Sequence, residues 1–221
     1  MNRFFKFTGV CLAVIFGTSL CNAGAINAKS SAFEIGFGAP VQLCKESTTI
    51  YGMRISLGYL ESRAVYGLDL GLLNRSEESI GFQACLLSAS DDTQIGFAVS
   101  GVNVADQFFY GVQSGLFNQA GQKGDDPLYD RGNAAGCQLG WINLSQTVFS
   151  GCQLGVVNLS DTYFDGLQLG FINSDKDPDK IVYDVVNNTQ TERNGKDSCL
   201  QIGFINFNEK GFLPVTIGFN F

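Results

Sequence analysis

GCQLGWINLSQTVFS (136–150), GCQLGVVNLSDTYFD (151–165) and GLQLGFIN (166–173) are consecutive copies of one pattern, and their opening glycines, Gly136, Gly151 and Gly166, set a 15-residue period. The first six residues of each copy alternate: Gly151, Gln153 and Gly155 fall on one side, Cys152, Leu154 and Val156 on the other. Alternation with period two is strand geometry. Two glycines per copy exclude an amphipathic helix, since each weakens a helix by about 1 kcal/mol. Turn formers follow the motif Asn: Leu144-Ser145-Gln146, Leu159-Ser160-Asp161 and Ser174-Asp175. A short lead, TVF or TYF, then enters the next copy, so one repeat reads as a strand of about 10–12 residues plus a tight connection.

Further copies lie outward from this block: GLDLGLLN from Gly67, GVQSGLFN from Gly111, CLQIGFIN from Cys199 and a weaker GFQACLLS from Gly81. Residues 93–103, TQIGFAVSGVN, read as a slipped copy, and PVTIGFNF ends the chain with Gly218 placed one full period after Gly203. The array nearly fills residues 26–221, which reads as a single β-repeat domain. Two polar insertions break the period, at 119–135 and 174–197, directly after Asn118 and Asn173. Both are expected to be surface loops, and KIVYDVVN (180–187) within the second reads as a further strand.

The fold expected is all-β, a repeat-built antiparallel β-barrel of about 10–12 strands in the manner of outer-membrane barrels. Leu, Val, Cys, Phe and Trp would face lipid, and Gly-Gln-Gly the lumen. The variation Trp141, Val156, Phe171 at the sixth position suits lipid better than a packed interior. The alternative is a β-solenoid with one coil per repeat, whose stacking would align Gln with Gln and Asn with Asn. The residues expected to set the structure are Gly136, Gln138, Gly140 and Asn143, then Gly151, Gln153, Gly155 and Asn158. Gly166, Gln168, Gly170 and Asn173, with Gln201, Gly203 and Asn206, complete the set. In the last strand Ile217, Phe219 and Phe221 alternate as an apolar face.

Residues 1–25 differ from the rest. Arg3 and Lys6, an almost uncharged apolar run from Phe7 to Leu20, and Ala23-Gly24-Ala25 give the three-part layout of a secretory signal peptide. Removing it takes Arg3 and Lys6 from 14 basic residues, leaving 12 against 21 acids, a net charge of −9. Nucleic acid is therefore not an expected partner, since phosphate binding needs clustered Lys and Arg. Five cysteines follow the leader: Cys44, Cys85, Cys137, Cys152 and Cys199. They mostly occupy positions where other repeats carry Leu, Val or Gly, and read as small buried apolar residues in preference to disulfides.

The chain has no histidine, which rules out Ser/His and Cys/His nucleophiles and the usual Cys/His zinc sites. Glu77-Glu78 and Asp91-Asp92 read as solvated turn residues. Asp175-x-Asp177-x-Asp179 resembles the first half of a calcium loop, but Lys180 stands in place of its central Gly and Val186 in place of its distal Glu. No catalytic residue, cofactor or metal is expected, and the chain reads as a non-enzyme.

The GxQxGxxN copies, the YGLDLGLLN lead-in from Tyr66 and the Pro214-containing aromatic ending resemble a family of bacterial surface-repeat proteins of spirochaetes and other Gram-negative-type bacteria. The final strand also resembles the C-terminal strand of outer-membrane proteins. The resemblance covers most of residues 50–221 and implies surface or outer-membrane placement, with no activity and no functional residues to carry over. The function expected is a bacterial envelope or surface protein integral to the outer membrane, structural or pore-like, with outer-membrane lipid as its partner. The alternative is a soluble secreted or surface-attached solenoid, periplasmic or extracellular, that binds a protein through its loops.

Overall fold

The computed structural model describes residues 29–38, 41–121, 133–162, 164–176, 181–184, 189–192, 199–208 and 213–221. The leader at 1–25 and much of both insertions lie outside these residues. The described chain is all-β: β1 (Ser30–Gly38), β2 (Val41–Gln42), β3 (Thr49–Ala105), β4 (Phe108–Ala120), β5 (Asn133–Ser145) and β6 (Val148–Leu154). There follow β7 (Val157–Ser160), β8 (Phe164–Asp175), β9 (Ile181–Asp184), β10 (Thr189–Glu192), β11 (Cys199–Asn208) and β12 (Val215–Asn220).

The 57 residues of β3 do not run straight. At about 3.3 Å per residue a straight strand of that length would reach roughly 190 Å. The backbone instead returns onto itself once per repeat. Arg63 N donates to Thr48 O at 3.1 Å, and Gly121 N, just past β4, donates to Ala105 O at 2.7 Å. From β3 onward each repeat lies beside its predecessor in parallel register: Gly96 on Gly111, Gly111 on Gly136, Gly136 on Gly151, Gly151 on Gly166. The second insertion leaves the register intact, with Gln201 on Gln168 and Asn206 on Asn173.

This corrects the expected strand direction. The repeats pair parallel, not antiparallel, and parallel pairing at the repeat period is what stacked 15-residue coils require. The motif GxQxG is symmetric about its Gln and so carries no directional information. Direction is decided by what meets across the ladder: parallel register sets like on like, so that each buried amide finds another amide. Antiparallel pairs occur at the two ends of the main sheet, β1 with β2 and β11 with β12. The final copy keeps its spacing but reverses direction, so Gly218 pairs antiparallel with Gly203. The expected strand in 180–187 is present as β9, which forms a separate hairpin with β10.

Both motif glycines let the coils approach closely. Gly151 holds φ at +143°, where side chains are strained, and a Cβ there would overlap the carbonyl oxygen of Gly136 in the coil before. A Cβ at Gly155 would likewise overlap the carbonyl oxygen of Gly140, and it would also lie 2.7 Å from Asn143 Nδ2, in space that an amide occupies. The interior that these glycines allow is narrow. It holds Gln153, Asn158 and Ser160 together with Phe149, all essentially without solvent exposure. Phe149 and Phe164 stack at 5.3 Å with their planes 4° apart, and Phe109 continues that column 6.3 Å from Phe149.

Gln153→Ala should lower the stability of the fold by about 2–4 kcal/mol, because it orphans one buried acceptor and one buried donor in the neighbouring coils. Urea unfolding followed by far-UV circular dichroism measures this. Val156→Ala, on the outer face of the same coil, should cost much less.

Candidate functional site

The interior contains two columns of amides. In the first, Gln113, Gln138, Gln153, Gln168 and Gln201 each donate through Nε2 to the Oε1 of the Gln in the preceding coil, or to Gln94 in the case of Gln113, at 2.6–2.9 Å. In the second, Asn103, Asn118, Asn143, Asn158 and Asn173 each donate through Nδ2 to the Oδ1 of the Asn in the following coil, at 2.8–2.9 Å. The remaining amide hydrogen of each Asn goes to a main-chain carbonyl: Asn143 Nδ2 to Leu154 O and Asn158 Nδ2 to Leu169 O, both 3.0 Å. That second bond fixes which way each amide faces, and hence the direction in which the column donates.

The slipped copy at 93–103 has a structural reason. Ala98 occupies the place of the ladder Gln, pairing in register with Gln113. Gln94, from the lead-in, fills the gap, accepting from Gln113 at 2.6 Å and donating to Gln83 Oε1 at 2.7 Å. Toward the N-terminus the column changes to charge. Arg54, fully buried, donates to both oxygens of Asp69 at 2.7 Å and to the Arg75 carbonyl at 2.9 Å. Asn74 Nδ2 adds a third donor to Asp69 at 2.7 Å. Glu34 ends the series, held by Ser62 Oγ at 2.6 Å. Burial pushes its carboxyl above the ordinary carboxylate range, against the Ser62 hydrogen bond and the Arg54 charge. The sequence reading missed this cluster, although YGMRIS and YGLDLG place Arg54 and Asp69 where later repeats have Gln.

The outside of the coils is divided into two flanks. Along the strand, the second, fourth and sixth repeat positions face outward and are mostly apolar, Ser114 being a polar exception. The sixth forms a row of Leu57, Leu72, Leu86, Leu116, Trp141, Val156, Phe171 and Phe204, 47–68 % exposed. Phe171 and Phe204 stack at 4.9 Å within it. β12 extends the face with Val215, Ile217 and Phe219, and Phe221 follows it, also exposed. Thus the motif Gln and Asn side chains lie inside, and the Trp, Phe and Leu of the sixth position outside. Cys137 and Cys152 stand in register on this face, with Cα atoms 4.7 Å apart, and form a disulfide. For these two cysteines, the reading as small buried residues is corrected. It fits Cys44 and Cys199, both buried.

The other flank, after the motif Asn, is polar. Arg75 grips Asp91 through Nε and Nη2 at 2.9–3.1 Å, and Arg63 lies 3.9 Å from Glu77. Asp91 is thus engaged by a guanidinium, where the sequence suggested only a solvated turn. Asp106 sits in the turn between β3 and β4, and its carboxyl is raised to about 6, by burial first and then by the charge of Asp91. Both insertions leave the stack from this flank, one after Ala120 and the other after Asp175, residues that pair with Ser145 and Ser160 at the same phase.

Among the described residues, no group of three or more His, Cys, Asp or Glu is placed to hold a metal. Asp177 and Asp179 of the calcium-like spacing lie outside those residues. No protein-family model, curated protein or solved structure matches the chain.

A raised folded-state pKa means that Asp106 favours the fold while protonated, and that this contribution is lost as pH rises from about 4 to about 6. Asp106→Asn should therefore raise the melting temperature at neutral pH and flatten its fall across that window. Thermal melts at several pH values measure both effects.

Proposed function

We propose that this chain is a non-enzymatic envelope protein, a β-solenoid of 15-residue coils that lies with its apolar face against outer-membrane lipid. The observation that carries the reading is where the large apolar side chains stand: amide columns share the inside with one phenylalanine stack, while Trp141, Phe171 and Phe204 stand exposed outside. A contiguous exposed apolar surface of this kind marks a contact with membrane or protein. The polar flank with Arg63, Glu77, Arg75 and Asp91 favours lying along a membrane surface, with that flank turned to water, over burial on all sides.

Several independent features support export and an envelope location. The leader-like residues 1–25 have the layout of a signal peptide. A disulfide between Cys137 and Cys152 suits an oxidising compartment. The repeat resemblance points the same way. Gln and Asn side chains occupy the interior with hydrogen bonds to one another, which favours a structural role over a pore-like one. A second reading, in which the insertions bind a protein partner, is favoured by their common exit from the polar flank. It is compatible with the first, since that flank would face away from lipid.

Trp141 is the chain's one tryptophan and stands in the middle of the apolar row, 68 % exposed. Adding phospholipid vesicles should shift its fluorescence to shorter wavelength, and the protein should float with the vesicles. Phe171→Asp should weaken flotation at least about tenfold while leaving the β-sheet dichroism unchanged, since a charge on this row opposes insertion. A chain that stays dissolved without detergent and ignores vesicles would sink the proposal.

A further inference from the structure

The two ends of the main sheet are treated differently. At the N-terminal end the outermost strand, β2, has only two residues. It joins β1 through a register shift between Gly36 and Gly38, and exposed Lys45 and Glu46 follow it. Short length, irregular pairing and charge are the devices by which natural sheets prevent edge-to-edge association. At the C-terminal end the pairing of β12 with β11 also shifts register, between Gly203 and Asn206, but the outer strand is three times as long as β2 and carries no charge. β12 carries six residues, VTIGFN, without a charge, and among the described residues it has a neighbour on one side only.

Its side chains are equally uncovered. Val215, Ile217 and Phe219 project on the apolar side, and Ile217 is 78 % exposed. Phe219 continues the face of β11, where it lies across from Ile202. The apolar face therefore runs up to an unprotected edge.

We propose that β12 is a self-association edge, pairing antiparallel with β12 of a second copy to join two stacks end to end with one continuous apolar face. Antiparallel pairing of a strand with its own copy is two-fold symmetric, so the contact is satisfied within a dimer. Head-to-tail addition would require the N-terminal end to accept β12, and the two-residue β2 with its charged neighbours opposes that. The asymmetry thus selects a closed pair over an open filament. The inference is independent of lipid binding, since it depends on the edge and not on what covers the face.

The test uses the full chain in mild detergent, with mass measured by light scattering. The expected result is twice the 23.8 kDa chain mass, falling to one chain mass for Ile217→Lys with the β-sheet dichroism retained. Hydrogen exchange should show consecutive amides of β12 protected in the dimer and alternate ones released in the variant. Phe171→Lys, in the middle of the face, should lose vesicle flotation and remain dimeric, which separates the two proposals. A monomeric parent chain overturns the inference, and so does a dimer that survives Ile217→Lys or is dissociated by Phe171→Lys.

Discussion

The structure depends on one requirement: a buried carboxamide must have both its donor and its acceptor satisfied. Removing a Gln side chain from water costs several kcal/mol unless hydrogen bonds replace those of the solvent. A neighbour of the same kind, held about 4.8 Å away in parallel register, supplies one donor and one acceptor at once. The constant repeat period, the parallel direction and the recurrence of Gln and Asn along the array all follow from meeting that requirement repeatedly. The glycines follow as well, because only a backbone without Cβ leaves space for amides to approach so closely.

The interior therefore specifies as much as it stabilises. Apolar cores tolerate sliding and repacking, whereas an amide column displaced by one residue loses all its bonds together. The exchange at Gln94 and Ala98 illustrates how strictly the column is kept. Where the usual position carries Ala98, a glutamine from a different strand position reaches into the same line. At the N-terminal end the column is continued by Arg54 and Asp69, a pair whose geometry satisfies the same demand with charge.

Much of this was legible in the sequence. The strand character, the period and the two faces are readable from Gly136 to Asn173 alone, and Asn118 and Asn173 fall two residues short of where both insertions leave, after Ala120 and Asp175. Strand direction was not legible. The variation at Trp141, Val156 and Phe171 weighs against stacked coils only if such coils have apolar interiors. In this chain the variable position faces outward in either architecture, so the variation does not discriminate between them. The identical neighbours Gln138, Gln153 and Gln168 were the better guide to direction. The cysteine pairing was illegible for a different reason: Cys137 and Cys152 are one full repeat apart along the chain, and only parallel register makes that separation adjacent. Arg54 and Asp69 were hidden by position, each standing where a glutamine was expected and recognisable only once the column had been drawn.

The two amide columns donate in opposite directions along the stack, Gln toward the N-terminus and Asn toward the C-terminus. Each column is a row of aligned dipoles, and a single row would build up opposite partial charges at its ends, as a helix does. Two opposed rows largely cancel. An added coil contributes one dipole to each row, so the stack gains length without gaining an electrostatic penalty at its ends. Repeat number in such a protein is thus electrostatically unconstrained, and duplication of a single coil can lengthen the apolar face while leaving the chemistry of both ends as it was.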